Sequence, residues 1–174
     1  LWAEERKSGT FELLLTLPIP MGSIVVGKYL AAVAFAALAL LFTAPIWITV
    51  NWLGSPDNGV IFTGYIGSLL MASAYLAIGS ALSATTKNQV VAFILAVTVC
   101  FLFLVSGLPM VVDLFSGWAP EGITLAVANF SFLIHFDNLQ KGVVSFADVF
   151  YFIAVIAFWL WVNRVVVESK REAG

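Results

Sequence analysis

Four long apolar runs constrain the fold of this chain more than any other feature. They cover residues 24–53, 60–84, 88–112 and 149–167, and each is close to or above the roughly 20 residues that a helix needs to cross a bilayer. In the whole chain 61% of residues are hydrophobic and 10% are charged, against about 45–50% and about 25% in soluble domains. The sequence therefore predicts an all-α integral membrane protein, a helical bundle with four transmembrane helices.

The positive charges predict how these spans are oriented. Lysine and arginine concentrate before the first span, between the second and third spans, and after the last span, at residues 1–20, 85–89 and 164–174. The positive-inside rule places such segments in the cytoplasm. Both ends of this sequence are then cytoplasmic, as an even number of spans requires.

The chain divides into four parts that form one transmembrane domain. Residues 1–20 precede the first span, residues 21–112 hold three spans, residues 113–148 form an extracytoplasmic segment, and residues 149–174 hold the last span and the tail. Within the third part, residues 121–140 predict one or two short amphipathic helices that lie at, or dip into, the outer membrane surface.

Composition also predicts how individual spans pack. The second run is rich in glycine, alanine and serine, which let another backbone approach closely, so we expect this helix inside the bundle. The third run has bulkier side chains and is expected to face lipid on at least one side. Pro45 predicts a kink in the first span, and Arg164 is expected to snorkel to the headgroups.

Isolated polar residues point to no chemistry of their own. No span has an ionisable residue at its centre, which disfavours a proton relay or an ion-coupled transporter. His135 and Asp137 could form a metal or proton site, but two groups are too few, and an interfacial helix is the favoured interpretation. Lys28 could contact a substrate, although snorkelling is favoured. Basic residues are too few for nucleic-acid binding, and Cys100 has no second cysteine with which to form a disulfide.

The N-terminal stretch AEERKSGTFELLLTLPIP is one of the few densely charged segments. Ser8 and Thr10 are candidate helix N-caps, and Gly9 permits a turn between them. Leucines at helical spacing follow until Pro18 ends the helix. The stretch therefore predicts about two turns of cytoplasmic helix, which need tertiary or partner contacts to be stable.

Three interpretations of this short helix remain open. It could rest its leucines on lipid, it could be an ordinary connecting loop, or it could dock into a partner protein and pass motion to the spans. Charges on one side and apolar residues on the other suit a mixed polar and apolar cleft. The link SATTKNQ, residues 83–89, is predicted to be a tight cytoplasmic turn, with a second partner contact as the alternative.

The longer stretch AEERKSGTFELLLTLPIPMGSIVVGKYLAA resembles the signature segment of type-2 ABC exporter (ABC-2 type) permeases: Glu-Glu-Arg, a Gly-Thr step, Glu-x-Leu-Leu, a proline, and Gly-Lys opening the next span. AYLAIGSALSATTKNQVVAFI and FLIHFDNLQKGVVSFADVFYF are similar to gliding-motility-type permeases, with nitrous-oxide-reductase-maturation permeases as near relatives. The resemblance covers almost the whole chain. Such permeases usually have six spans, which implies two further spans upstream of Leu1 and hence an N-terminal truncation.

The resemblance implies that residues 4–17 form a coupling helix that docks on a separate ATP-binding subunit. The implied interface consists of Glu4, Glu5, Arg6, Ser8, Gly9, Thr10, Phe11, Glu12, Leu14 and Leu15. Phe11 stands where an aliphatic residue is common in the family, so the shape of the partner's pocket is not specified. The family further implies a bacterial cytoplasmic (inner) membrane location, a second permease copy or a related permease as dimer partner, and in one branch an extracytoplasmic auxiliary protein.

On this resemblance the chain is the membrane-spanning subunit of an ATP-driven exporter and not itself an enzyme. It has no phosphate-binding GxxxxGK[ST] loop, so ATP and magnesium are expected in the partner, with no cofactor or metal bound by this chain. The alternative is an ATPase-driven membrane anchor or assembly component of an extracytoplasmic complex that moves no cargo. The sequence does not specify the exported substrate.

Overall fold

The computed structural model of the protein describes residues 2–16, 18–117 and 119–172. Four side chains within these ranges lie outside the description: those of Glu12, Leu15, Thr16 and Glu172. The described residues form α-helices joined by short turns, with no strand among them. The predicted class, an all-α helical membrane bundle, is confirmed.

The helices of the described chain are named in sequence order. The N-terminal pair is α1 (Trp2–Ser8) and α2 (Thr10–Thr16), and the first two spans are formed by α3 (Met21–Leu41) with α4 (Ala44–Leu53) and by α5 (Asn58–Thr85). The remaining helices are α6 (Gln89–Val105), α7 (Pro109–Ser116), α8 (Glu121–Asn129), α9 (Phe132–Gln140) and α10 (Phe146–Glu172).

Three stretches of the described chain are long and apolar enough to cross a membrane: Met21–Leu53, Asn58–Thr85 and Phe146–Arg171. Helices α6 and α7 meet this criterion only as a pair, which is bent by 77°. The expected continuous span over residues 88–112 is therefore interrupted, and four spans are obtained only if the bent pair counts as one.

Pro109 explains the interruption. Proline has no N–H to donate and favours extended backbone at the residue before it, and Leu108 is extended, with φ −68° and ψ 138°. Helix α6 consequently ends after 17 residues, which at 1.5 Å per residue is about 25 Å, short of the roughly 30 Å hydrocarbon core.

The first span also has a local break, between α3 and α4, where Pro45 lies in the first turn of α4. The Thr43 hydroxyl donates to the carbonyl of Leu40 and lies 2.6 Å from the hydroxyl of Tyr65. Threonine hydroxyls beside a helix break can bond carbonyl groups that lack a regular helical partner. The distortion expected near Pro45 is present.

Helix α5 is the centre of the bundle and contacts α1, α3, α6, α9 and α10. Its buried residues are mostly small: Gly67, Ser73, Ala74, Ala77, Ile78, Ser80, Ala81, Ser83 and Ala84. A Cβ added at Gly67 would lie 3.0 Å from the Cβ of Leu139 of α9, so a larger residue would require Leu139 to move. The expected packing of the second span inside the bundle is observed.

Helix α6 differs because its bulky side chains point away from the bundle. Phe93 and Leu102 are 68% and 59% exposed, whereas Ala92 is buried. In a membrane-spanning helix such exposed apolar surface faces lipid, as the composition predicted.

The first span runs antiparallel to α5, whereas α5 and α10 run in the same direction, and the bundle has two distinct ends. At one end, which we call the α1 end, the core contains Trp2, Phe11, Met21, Val25, Ala84 and Val167. Towards the other, the α9 end, the core contains Ala74, Ile78, Phe132, Leu139 and Phe152. The short helices expected within residues 121–140 are present as α8 and α9, and α9 contributes two fully buried side chains, Phe132 and Leu139, to this core.

Candidate functional site

The charged N-terminal stretch forms two helices instead of the single one expected. Residues 4–7 lie within α1, and the predicted helix begins at Thr10 as α2. The two helices meet at Gly9, whose φ of +78° is costly for any residue with a Cβ. The hydroxyls of Ser8 and Thr10 lie 2.9 Å apart and within 3.3 Å of the Glu5 carbonyl, so they bond the last turn of α1. We call α1, Gly9 and α2 the elbow.

Hydrogen bonds to the C-terminal end of α5 hold α1 in place. The first N–H groups of a helix have no partner within it, and here those of Trp2 and Ala3 both donate to Ser83 Oγ at 2.9 Å. Arg6 donates to the carbonyl of Ala84 at 3.0 Å, one of the unpaired carbonyls at the end of α5. The turn predicted over residues 83–89 is shorter than expected, since residues 83–85 belong to α5 and residue 89 to α6, and the elbow is attached to the last turn of α5.

A lysine of the first span completes the attachment. Lys28 of α3 forms a salt bridge with Glu5, and its ammonium group lies 4.6 Å from the ring centroid of Trp2. Both charged side chains are half-buried. The expectation that Lys28 snorkels to headgroups is corrected: its charge is bound by the elbow. A lysine two turns into a span indicated that its charge needs a partner, but the sequence did not show that this partner is Glu5, 23 residues away.

Phe11 faces the interior of the protein. It is buried, and its ring meets the Trp2 ring edge-on at a centroid separation of 5.8 Å. The guanidinium carbon of Arg6 lies 5.6 Å from the centroid of Phe11, within the range of a cation–π interaction. On one side of the elbow, two aromatic rings and the Arg6 guanidinium therefore pack together next to the spans.

The structure sorts the residues of the implied interface by accessibility. Four are exposed: Glu4, Ser8, Gly9 and Thr10. Glu5, Arg6 and Phe11 are engaged within the chain, Leu14 is half-buried, and the side chains of Glu12 and Leu15 lie outside the described part. Lys7 and Leu13, which the sequence did not single out as interface residues, are exposed, Leu13 to 70%. We call the exposed set Glu4, Lys7, Ser8, Thr10 and Leu13 the elbow surface.

The side chains of His135 and Asp137, which were considered as a metal or proton site, bond to different partners. His135 Nδ1 lies 2.6 Å from Asp148 on α10, and Asp137 pairs with Lys141 one turn along α9. Among the described residues, no group of three or more His, Cys, Asp or Glu side chains could hold a metal ion. Arg164 lies 3.5 Å from Glu168 on the same helix.

Spans that are apolar enough to cross a membrane, with a charged elbow braced against them, suit a membrane-embedded subunit. A family model described as "ABC-2 family transporter protein" matches residues 1–167. The chain belongs to this family and is a membrane-spanning permease subunit of an ABC transporter. Members are membrane subunits, not enzymes, and the family implies an ABC ATP-binding partner. No curated protein and no solved structure matches the chain. The gliding-motility branch, the upstream spans and the cytoplasmic position of both ends stay predictions.

Proposed function

We propose that this permease couples ATP hydrolysis by a separate ATP-binding subunit to movement of its spans and export of a substrate, and that the elbow is the coupling element. The observation that carries the proposal is the two-sided construction of the elbow. One side presents exposed charges and hydroxyls, and the other side is bonded to α3 and α5 and packed against α10 through Val167.

This construction suits the transmission of motion. A seven-residue helix is unstable by itself, so α1 keeps its shape only through the spans that it contacts. A displacement of the elbow surface then moves α3 through Glu5 and Lys28, and α5 through Ser83 and Arg6. The interpretation as an ordinary connecting loop does not account for these bonds.

The same contacts divide the implied interface into two roles. Glu4, Ser8, Thr10 and the additional Leu13 are proposed to touch the ATP-binding subunit. Glu5, Arg6 and Phe11 are proposed to act inside the chain as positioning residues. Gly9 allows the bend between the two helices, and Glu12, Leu14 and Leu15 keep their implied place on α2.

The rest of the complex is proposed on the resemblance to the family. ATP and magnesium are held by the partner, and this chain is proposed to bind no cofactor. A second permease copy or a related permease forms the dimer, and the substrate path lies between the two protomers. Tilting of the first span, which follows the elbow directly in sequence, opens or closes that path in the inner membrane.

Copurification with the cognate ATP-binding subunit tests the docking step. Glu4→Arg combined with Leu13→Asp reverses a charge and adds one on the elbow surface, and we expect it to abolish copurification while membrane insertion stays normal. Glu121→Arg combined with Leu114→Asp, at exposed positions on α8 and α7, is the matched control. Retained copurification and ATPase coupling in the elbow double variant would remove the proposal.

The alternative function, an ATPase-driven anchor or assembly component that moves no cargo, predicts the same docking. It differs in the outcome of a transport assay. ATP-dependent accumulation of a candidate cargo in vesicles that contain both subunits supports the exporter. Normal ATPase coupling together with stable binding of an extracytoplasmic protein, and no transport, supports the anchor.

A further inference from the structure

Three polar side-chain atoms of the described chain are buried and have no hydrogen-bond partner within it: Trp2 Nε1, Glu5 Oε2 and Asn163 Oδ1. A buried donor or acceptor without a partner costs free energy, so each such group needs an explanation. Glu5 has one, because its side chain is 26% exposed and its carboxylate is already bound to Lys28. Trp2 and Asn163 are 1% and 0% exposed, so partial exposure does not explain them.

Asn163 lies in α10 beside the core of the α1 end. Its amide nitrogen donates to Ser80 Oγ of α5 at 2.7 Å, and its amide oxygen is the unpaired atom. Leu160, three residues before Asn163, packs against the core of the α1 end, and Val167, four residues after it, belongs to that core. Residues at these spacings share one face of a helix, so Asn163 lies on the face of α10 that packs against this core.

Trp2 reaches the same core from the elbow. Its side chain is buried in the core of the α1 end, and its backbone N–H donates to Ser83 Oγ of α5 at 2.9 Å. Ser83 follows Ser80 by three residues, which is about 4.5 Å of helix rise. Because side chains three residues apart are neighbours on a helix surface, the residues that these two serines bind, Trp2 and Asn163, are neighbours on one face of α5.

The two unpaired groups are chemically complementary. The indole nitrogen of tryptophan is only a donor, and an amide oxygen is only an acceptor. A buried tryptophan N–H usually finds a partner, and each group is the partner that the other lacks. Both are enclosed by residues of this chain, so their pairing does not depend on what covers the outside of the bundle.

We propose that Trp2 and Asn163 are positioning residues of the coupling step, and that Trp2 Nε1 donates to Asn163 Oδ1 when the elbow is displaced. This inference rests on the proposed role of the elbow as the coupling element. The elbow bonds in the described arrangement to α3 and α5, whereas the new bond connects it to the last span. Because the two groups are unpaired only in the described arrangement, the bond favours the displaced one.

Solid-state NMR of the indole N–H tests the bond itself. The full-length permease with isotope-labelled tryptophan is reconstituted in lipid with its ATP-binding subunit, and Trp2→Phe identifies the Trp2 resonance. We expect the Trp2 indole proton to move to lower field, as a newly bonded N–H does, when magnesium and a non-hydrolysable ATP analogue are added. The resonance should not move in Asn163→Leu. A resonance that stays in place in the wild type, or moves equally in Asn163→Leu, would overturn the proposal.

Transport-coupled ATPase activity tests the use of the bond. Trp2→Phe keeps an aromatic ring without the N–H, and Asn163→Leu replaces the amide by an apolar side chain of similar size. Each should lower the coupled rate about tenfold, the change in rate that about 1.4 kcal/mol produces. The double variant should lower it no further, because both changes remove the same bond. Trp161→Phe, at an exposed tryptophan of α10, is the control and should leave the rate unchanged.

Ser80→Ala separates this role from a purely structural one. It removes the observed bond between Asn163 and α5 but keeps both groups of the proposed bond, so most of the coupled rate should remain. A loss as large as that in Asn163→Leu, additive losses in the double variant, or unchanged rates in both single variants would overturn the proposal. Failure of the docking proposal would appear elsewhere, as retained copurification and coupling in the elbow double variant.

Discussion

The two ends of the bundle both contain partly buried charges, but they use them differently. At the α1 end, the salt bridge between Lys28 and Glu5 joins the elbow to the first span. At the α9 end, Asp148 accepts hydrogen bonds from His135 Nδ1 at 2.6 Å and from Asn138 at 3.0 Å. We call His135, Asn138 and Asp148 the α9-end cluster. Asp148 is 3% exposed, so its carboxyl group faces inward.

The difference concerns what remains accessible. The elbow uses one side for internal bonds and leaves the opposite side exposed, which a docking element requires. The α9-end cluster leaves little exposed: His135 Nε2 lies 3.0 Å from the carbonyl of Asn129, and its ring stacks on Tyr151 at a centroid distance of 4.0 Å. Both ring nitrogens therefore lie within hydrogen-bond distance of an oxygen atom. The cluster joins α8, α9 and α10 and is interpreted as structural.

The largest expected effect is on the α9-end cluster. Asp148→Ala leaves His135 and Asn138 without their shared acceptor, and loss of one member of a buried pair is expected to lower the free energy of unfolding by about 3 kcal/mol. Denaturant unfolding in detergent measures this. Asp113→Ala, which removes an exposed carboxylate, should change it little. Equal losses in the two variants would contradict the structural role of the cluster.

A smaller loss is expected at the attachment of the elbow. Ser83→Ala removes the acceptor of two buried N–H groups, and unsatisfied buried donors cost about 1–3 kcal/mol. Amide hydrogen exchange should become faster in α1 and stay unchanged in α9. Ser116→Ala, at an exposed hydroxyl, is the control. Unchanged exchange in α1 would show that the elbow is held by other contacts.

The salt bridge of the elbow should affect coupling more than stability. Lys28→Met keeps the aliphatic stem and removes the charge, so Glu5 loses its partner, at an expected cost of about 1 kcal/mol. We expect copurification with the ATP-binding subunit to persist while transport-coupled ATPase activity falls. Lys87→Met tests the loss of an exposed positive charge near the same end. A double-mutant cycle with Glu5→Gln that shows no interaction energy would remove Lys28 from the coupling path.

The smallest stability effect is expected on the elbow surface. Leu13→Ser changes an exposed side chain, and such substitutions usually alter stability by less than about 0.5 kcal/mol. Copurification with the ATP-binding subunit should nevertheless weaken. Leu114→Ser, which is 65% exposed on α7, should leave it unchanged. Weakening in both variants would mean that the effect is not specific to the elbow.

Much of the fold could be predicted from local properties. Apolar length identified the spans, the small residues of α5 predicted its central position, and the prolines at positions 45 and 109 lie where helices are interrupted. The break at Pro109 was nevertheless missed as a division of the third span, because hydropathy averages over a window and does not register one absent N–H group.

The candidate site was less predictable. The charged stretch, Gly9 and the leucines identified the elbow, but its internal partners come from distant parts of the chain. Lys28 was expected to snorkel to headgroups, and His135 with Asp137 was considered as a metal or proton site but set aside in favour of an interfacial helix, because the sequence does not show which distant side chains come into contact. The observed pairs, Lys28 with Glu5 and His135 with Asp148, join different helices.

The sequence by itself determined that this protein is helical, that it has spans apolar enough to cross a membrane, and which stretch is charged, since these properties depend on the backbone and on the hydropathy of neighbouring residues. Tertiary structure alone decided which side of the elbow is exposed, what Lys28 and Asp148 bind, and that Trp2 and Asn163 lie at the same end of the bundle. These features depend on how helices far apart in sequence pack around α5, because that packing decides which side chains come into contact.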